Sequence, residues 1–476
     1  MEAAPEHEEE EDAVFIGGDG EVLADMMGDE EPPNEEDFDD DEDEYIDEEM
    51  HGRGNRGEEE DTEMDGCESG EPAITPERED ACAVLEAHTA PVFAVTHARQ
   101  VRAAGSESLG TCVASGGGDD IAVIWRLQRA YSAGDVLEPA AAAAAAGTAT
   151  GGDGSSGSGS SSRWHANVLR GAHSDTVSNL SFNHDGSRLA TAALDGIVAV
   201  WDAAGSLVRT FEGPGGAIEW LRWHPRGPVL LAGSEDYTTW MWNADTGVCM
   251  QVFSGHRGEV NCGSFTPDGK AVVTAGMDAT LRVWSPRDGT ATAIIEGHPF
   301  HTRAISALDC HADSITILTG AEDGSVCISS AATGKVLAPL NTGRVTHSDA
   351  VEAAAFCSSN ASLCASASLD GKAIIWDLNT QAHRGCLEHK DGLTCMAWHP
   401  TAPLVATAGL DSIARVWDAR TGSCVRELHG HSKSILDIKF SDAGHGFDGC
   451  AASNALIVTA SEDRSVRAFA FDSSTI

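Results

Sequence analysis

One stretch of the chain, Glu388–Asp418, reads EHKDGLTCMAWHPTAPLVATAGLDSIARVWD, and its pattern returns along most of the sequence. A His opens it. An alternating strand follows (Leu393, Cys395, Ala397), then a His-Pro turn, a second strand through Thr407, a turn on Asp411 and a third strand ending in Trp417. Three short strands within about 30 residues, separated by turn residues, are most of one small antiparallel sheet. The spacing has a chemical reading. A turn carboxylate can accept from the His. The His can bond a strand hydroxyl, and that hydroxyl can accept from the indole N–H, so every buried polar atom is paired. The four are His389, Thr407, Asp411 and Trp417.

Recurrence makes the pattern decisive. An Asp six residues ahead of an aromatic stands at Asp119/Trp125, Asp195/Trp201, Asp236/Trp242, Asp278/Trp284, Asp370/Trp376, Asp411/Trp417 and Asp463/Phe469. An eighth copy, Asp323, has Ser329 in the aromatic slot. Four residues before the Asp comes Ser115, Thr191, Thr274, Thr319, Ser366, Thr407 or Thr459, and Ala232 only in the third copy. The leading His is read as His88, His173, His256, His298, His347, His389 or His431; the third copy carries Gly213-Pro214-Gly215-Gly216 instead. Most Asp-to-Asp steps span 41 to 52 residues. The motif is similar to the WD40 repeat, whose period is about 40–45 residues. The resemblance implies an all-β fold: a single eight-bladed WD40 β-propeller over residues 81–476.

The formal charge of −46 is unevenly placed: residues 1–80 hold 36 acidic residues and 3 Arg, a net of −33. A segment such as Glu35–Glu44, acidic at nine of ten positions, cannot bury enough apolar surface to offset chain entropy. Residues 1–80 are therefore predicted to be a disordered acidic tail, either solubilising or attractive to a basic partner. Direct nucleic-acid binding is disfavoured because phosphate neutralisation needs Lys and Arg. No run approaches the roughly 18 apolar residues of a membrane span, and no basic start precedes an apolar segment, so neither membrane insertion nor a secretory signal is expected. The 13 Cys, with no CxxC pair, read as small core residues of a reducing compartment, and no metal or disulfide is expected. The expected location is the cytoplasm, with the nucleus as a second site, and the expected state is a monomer.

The ends of the repeat array suggest how the ring closes. Residues 82–86 resemble the outer strand of other repeats, and the last repeat stops after its third strand. Pairing the two would complete the final blade and remove exposed edges. Between Gln128 and Ser162 the pattern lapses into seven Ala and a Gly/Ser tract, read as a flexible insertion in blade one (128–162) between its third and fourth strands. The third repeat is rich in Trp. Trp223 and Trp242 fit strand-core positions, whereas Trp220 and Trp240 are open between core packing and a partner anchor.

That repeat carries a second resemblance. Glu219-Trp220, Trp223-His224-Pro225-Arg226, Pro228–Gly233 and Thr239-Trp240-Met241-Trp242 are similar to the angio-associated migratory cell protein family. The likeness spans roughly residues 81–476, with an acidic tail before it; the 128–162 insertion departs from the family. The resemblance implies a cytosolic escort, because the family's fungal relative is a dedicated chaperone of one basic large-subunit ribosomal protein. On a WD40 ring, the residue before each turn Asp and the residue after the first apolar position of each opening strand point to the narrow top face. Glu235, Glu322 and Glu462 hold the first position, Glu219 and Glu352 the second, and Phe93 occupies a similar place in blade one. Five carboxylates around one opening would suit a Lys/Arg-rich segment.

Catalysis finds no reacting group. The His and Asp residues are committed to the repeat, there is no Walker A loop or GxSxG, and Asp-Gly pairs such as Asp195-Gly196 are turn chemistry. No cofactor is expected. Two functions of different class remain: a ribosome-assembly chaperone with one basic client, or a general scaffold or adaptor in signalling, cell migration or ubiquitin ligation.

Overall fold

Each repeat folds into one twisted antiparallel sheet because its alternating segments are short and its turns are tight. In blade seven, for example, the strands are Leu393–Trp398, Leu404–Gly409, Ala414–Asp418 and Ser423–Leu428. The second strand is buried at all six positions and is built of Leu, Val, Ala, Thr and Gly, which fit between two neighbouring sheets. The outer strand is exposed except at Leu428. In the computed structural model, which describes residues 78–98, 112–128, 163–340, 345–441 and 455–471, this sheet recurs eight times with four strands each, and no helix occurs among the described residues. Residues 1–77 of the acidic tail and 129–162 of the insertion lie outside the described residues.

Every opening strand packs against the opening strands of both adjacent blades, and the eighth meets the first. The fold is therefore an eight-bladed all-β propeller. Closure uses the N-terminal segment: Ala83–Leu85 pairs antiparallel with Val466–Phe471, making it the outer strand of blade eight. Asp80 reinforces this, accepting from His429 N (3.0 Å) while its own N–H donates to His429 O (2.9 Å). On the inner side Asp437 of blade eight accepts from Val95 N of blade one at 3.0 Å. No sheet edge is left open at the seam, which removes a template for edge-to-edge association.

The core lies between blades. Each aromatic of the repeat packs against the preceding blade. Trp125 meets Leu456 and Val458, Trp201 meets Ile124 and Leu169, and Trp284 meets Leu231 and Phe253. Trp376 meets Leu318 and Ile328, and Trp417 meets Ala365 and Ile375. The indole N–H donates to the strand hydroxyl in each case. The distances are 2.9 Å for Trp125–Ser115, 3.0 Å for Trp201–Thr191, 2.8 Å for Trp284–Thr274, 2.9 Å for Trp376–Ser366 and 2.8 Å for Trp417–Thr407. The hydroxyl in turn meets the His Nε2, as in His88–Ser115 (2.8 Å), His256–Thr274 (2.8 Å), His347–Ser366 (2.8 Å) and His389–Thr407 (2.7 Å). Nδ1 faces the Asp in these four blades, at 2.9 Å for Asp119, 3.0 Å for Asp278, 3.3 Å for Asp370 and 3.2 Å for Asp411.

Blades two and four show a tetrad shortened and a tetrad extended relative to the four-residue chain expected of the sequence. The blade-two chain ends early. Trp201, Thr191 and His173 are joined, His173 bonding Thr191 at 2.7 Å, but Asp195 stands 3.6 Å from His173 Nδ1, beyond hydrogen-bond reach. Asp195 instead accepts from Ser174 N at 2.8 Å and Ile197 N at 3.0 Å, so its role there is to hold the turn. The blade-four chain is longer than expected. Thr280 Oγ1 donates to Asp278 at 2.8 Å and accepts from Arg282 Nε at 3.3 Å. The Arg282 guanidinium lies over the Trp284 ring, 5.9 Å from its centroid, adding a cation–π contact to the tetrad.

Blade five corrects the sequence reading outright. Its histidine is His301, not His298: Nε2 contacts Thr319 Oγ1 at 2.7 Å and Nδ1 contacts Ser325 Oγ at 2.5 Å. The sequence Glu296-Gly297-His298 imitates the entry of other repeats, but a Gly297–Phe300 turn carries the chain three residues further. That turn also places Phe300 in the buried core between blades four and five, on the side from which the blade's aromatic is missing. Ser329, in the aromatic slot, is fully buried.

Candidate functional site

The turns between second and third strands share one backbone bond. The residue before each turn Asp donates its N–H to the carbonyl just ahead of its own blade's opening strand: Glu235 to Ala217 (3.0 Å), Glu322 to Ala304 (2.9 Å) and Glu462 to Ser434 (3.1 Å). Leu194, Met277, Leu369 and Leu410 make the same bond at 2.8–3.0 Å, and Gly118 makes it in blade one. Eight equivalent positions in a closed ring lie on one face, called here the turn face.

The second set of positions is built by a β-bulge. In seven blades the opening strand shifts register between its first and third residues, as at Val92/Ala94, Ile218/Trp220 and Val351/Ala353. The bulged residue is left out of the ladder and its side chain is re-aimed. In blades two, five and seven it is Ser178, Ser306 and Thr394, whose hydroxyls bond the next blade's opening strand. In blades one, three and six it is Phe93, Glu219 and Glu352, which replace that stitch with an aromatic ring or a carboxylate.

Among the five predicted carboxylates, two pairs interact, each with a further acidic neighbour. Glu219 sits half-buried behind exposed Glu235, joined by Glu259, and Glu352 sits half-buried behind Glu322, joined by Asp349. Burial, and then the Glu235 and Glu259 charges, push the Glu219 carboxyl above the usual range; burial, Glu322 and Asp349 do the same to Glu352. Arg303 reaches Glu322 at 3.0 Å from an exposed position. Glu462 is half-buried in blade eight, apart from both groups. Phe93 is 41% exposed, with its ring edge over Gly118. Sequence reasoning misses Glu259 and Asp349. The available signal is their place at the entry to the opening strands, Glu259 in line with Ala217 and Ala304 and Asp349 one residue earlier, beside Ala350.

The tetrad residues stay out of the site. Trp201 and Trp284, like Trp125, Trp376 and Trp417, are buried in blade interfaces, and their polar atoms are spent on Thr191 and Thr274. Neither open tryptophan is an exposed anchor. Trp220 is 3% exposed and donates to Val260 O at 2.8 Å, bridging blades three and four. A Cβ on Gly263 would lie 2.4 Å from its ring, so the neighbouring strand needs glycine there. Trp240 stacks on Trp242 at 5.9 Å and 17° and donates to Thr238 Oγ1 at 2.8 Å. Trp223 is buried and donates to Ser181 O at 2.9 Å.

Comparison with known proteins follows the same architecture. The WD domain, G-beta repeat profile matches residues 166–202, 205–243, 247–285, 289–328, 339–377, 382–418 and 422–469, more than half of the chain. The first three strands of blade one lie outside these matches. Human angio-associated migratory cell protein is 31% identical over 394 residues, covering 80% of this chain and 78% of that protein. The crystal structure of Saccharomyces cerevisiae Sqt1 superposes with a TM-score of 0.65 at 18% identity, covering 83% of this chain and 99% of that one. The computationally designed Ika8 protein gives 0.62 at 22%, covering 82% and 100%. At those identities the two structures speak for the fold alone. A WD40 ring is a platform for binding protein partners, and this chain belongs to the WD40 family, as a relative of angio-associated migratory cell protein.

Proposed function

We propose that the protein is a cytosolic assembly chaperone that captures a basic large-subunit ribosomal protein on its turn face. The observation that carries this reading is the pair of carboxylate groups, Glu219/Glu235/Glu259 and Glu322/Glu352/Asp349. Each gathers like charges at a cost that a Lys or Arg from a partner would relieve. The family resemblance, with its escort of a basic ribosomal protein, supports the same partner class. The chain's own charge of −46 favours fast, steered encounter with a cation-rich protein.

The test is capture from cytosol at low and high salt, using the full chain and a Glu235→Gln/Glu352→Gln variant. The expected result is one free large-subunit ribosomal protein, held at low salt, released at high salt and weakened by the variant. Recovery of signalling or ligase components with no ribosomal protein would overturn the chaperone and leave the adaptor.

A further inference from the structure

The eight equivalent turn positions are not uniformly acidic. Reading from blade two to blade five they run Leu194, Glu235, Met277, Glu322. Leu194 is 40% exposed and Met277 50%, and Leu410 of blade seven is 43% exposed at the same position. A single exposed Leu on a protein surface needs no explanation. Large apolar side chains recurring at one structural position, on the face that also holds the paired carboxylates, do call for one.

Tyr237 adds an independent sign. It follows Asp236 in the blade-three turn with φ 69°, a left-handed conformation that bulky residues avoid. Blades two, five and six place Gly196, Gly324 and Gly371 there, and blades one, four, seven and eight place Asp120, Ala279, Ser412 and Arg464, all at positive φ. Blade three alone has an aromatic there, and Tyr237 is 48% exposed, so the free protein gains little burial in return. The turn conformation is common to the ring; the exposed aromatic at it is what sets blade three apart.

We infer that the turn face takes an extended segment in which apolar side chains alternate with Lys and Arg. The apolar groups would dock on Leu194, Tyr237 and Met277, and the cations on the carboxylates of blades three and five–six. Charge selects the occupant, since an apolar segment flanked by acidic residues would be repelled. A purely cationic segment would leave Leu194 and Met277 in water. Methionine suits such a role because its unbranched thioether adapts to different side chains. This inference rests on the basic-client reading and narrows it from net charge to sequence pattern.

Fluorescence anisotropy with the full chain separates the two. One labelled peptide carries Leu and Tyr between its Lys and Arg residues; a second keeps the length and the cations but has Ser in the apolar places. The first is expected to bind about tenfold more tightly, and to keep more of its affinity in high salt. Leu194→Ser/Met277→Ser should remove that advantage while leaving the Ser peptide and the melting temperature unchanged. Equal affinities, or an advantage that survives the double substitution, would overturn the apolar docking and leave cation capture standing. Failure of both peptides to bind would overturn cation capture as well.

Discussion

In blade seven Trp417, Thr407, His389 and Asp411 form an unbroken polar chain, with Arg415 added between Asp411 (2.5 Å) and Glu427 (2.9 Å). In blade three the strand hydroxyl is replaced by Ala232, the tetrad histidine by Pro214, and the space is filled by Trp240 stacked on Trp242, with Phe211 tilted at 5.7 Å. Asp236 keeps only its local duties, accepting from Gly215 N at 2.7 Å and Thr238 Oγ1 at 2.5 Å. Gly213, where other repeats have the residue before their His, is pressed against the Trp240 ring; a Cβ there would lie 2.5 Å from it. The same blade outline is thus reached by directional hydrogen bonds in one case and by aromatic area in the other. Blades two and four stand between: Trp201 keeps a chain cut short at His173, and Trp284 one extended through Thr280 and Arg282. The difference teaches that the tetrad is one way to fill the wedge between blades, and that its loss goes with coordinated changes at Pro214 in the histidine slot, Ala232 and Trp240.

The largest effect should come from the aromatic blade. Trp220→Ala removes a buried ring shared by blades three and four and leaves Val260 O without its donor. A loss of about 3–5 kcal/mol is expected, read as a shift of the urea midpoint. A loss below about 1 kcal/mol would mean that the wedge is held by something other than aromatic packing. Next comes the polar blade. Thr407→Val keeps the volume but strips both His389 Nε2 and Trp417 Nε1 of their partner. Two unpaired buried groups predict about 2–4 kcal/mol in the same assay. A near-neutral result would show that the tetrad is decorative, and blades three and seven would then differ in form only.

How much of this can be read in the sequence depends on what the signal is. The tetrads are legible because four residue types recur at fixed offsets, and hydrogen-bond chemistry fixes those offsets. What the offsets do not carry is the last few tenths of an ångström: Asp195 and Trp201 have the same spacing as Asp278 and Trp284, yet only Asp278 reaches its histidine. His298 misleads because Gly-His is a local cue, while the inserted turn that seats His301 and Phe300 is a matter of packing. The roles of Trp220 and Trp240 are illegible because a buried and an exposed tryptophan look alike until the facing strand is known. Of the candidate site, the positions of Glu219, Glu235, Glu322 and Glu352 follow from the repeat. Their grouping into two clusters with Glu259 and Asp349 does not, since it depends on contacts across blade boundaries. Leu194 and Met277 stand at the same offset as Glu235, one before the turn Asp, but apolar residues near strands read as core.

Acid titration sharpens the comparison, because blade three has no tetrad imidazole. Burial holds His301 down at about 4, and burial also lowers His431, His347, His389 and His173, although the neighbouring Asp opposes it where it is closest. An unfolded His takes up its proton near pH 6.5, so between about pH 6.5 and 4 the unfolded chain binds more protons than the folded one. Stability must therefore fall as pH drops through that window. His301 alone accounts for about 2 kcal/mol between pH 7 and 5. Asp411, held near 2 in the folded state against burial by its bonds to His389 and Arg415, extends the loss below pH 4. Urea midpoints measured from pH 7 to pH 5 should decline steadily; a flat profile would mean that the tetrad histidines titrate alike in both states.

The smallest stability effect should come where blade three turns from structure to recognition. Glu219 is half-buried, unstitched to the next blade and surrounded by Glu235 and Glu259. Its equivalents Ser178, Ser306 and Thr394 bond the neighbouring strand, so the carboxylate has given up a structural bond that the fold uses elsewhere. Glu219→Gln removes one of the clustered charges while keeping the shape. Stability should then change by no more than about 0.5 kcal/mol, and in the direction of a gain, because a like-charge contact is relieved. Affinity for a Lys/Arg-rich peptide should fall, and its salt dependence with it. Because the carboxyl is held above its usual range by burial and by the Glu235 and Glu259 charges, capture by the unsubstituted protein should begin to weaken on acidification before an ordinary surface Glu would protonate. A stability loss above about 1 kcal/mol with unchanged binding would assign Glu219 to the blade interface instead, and would make blade three an aromatic variant of blade seven with no recognition role in its bulge.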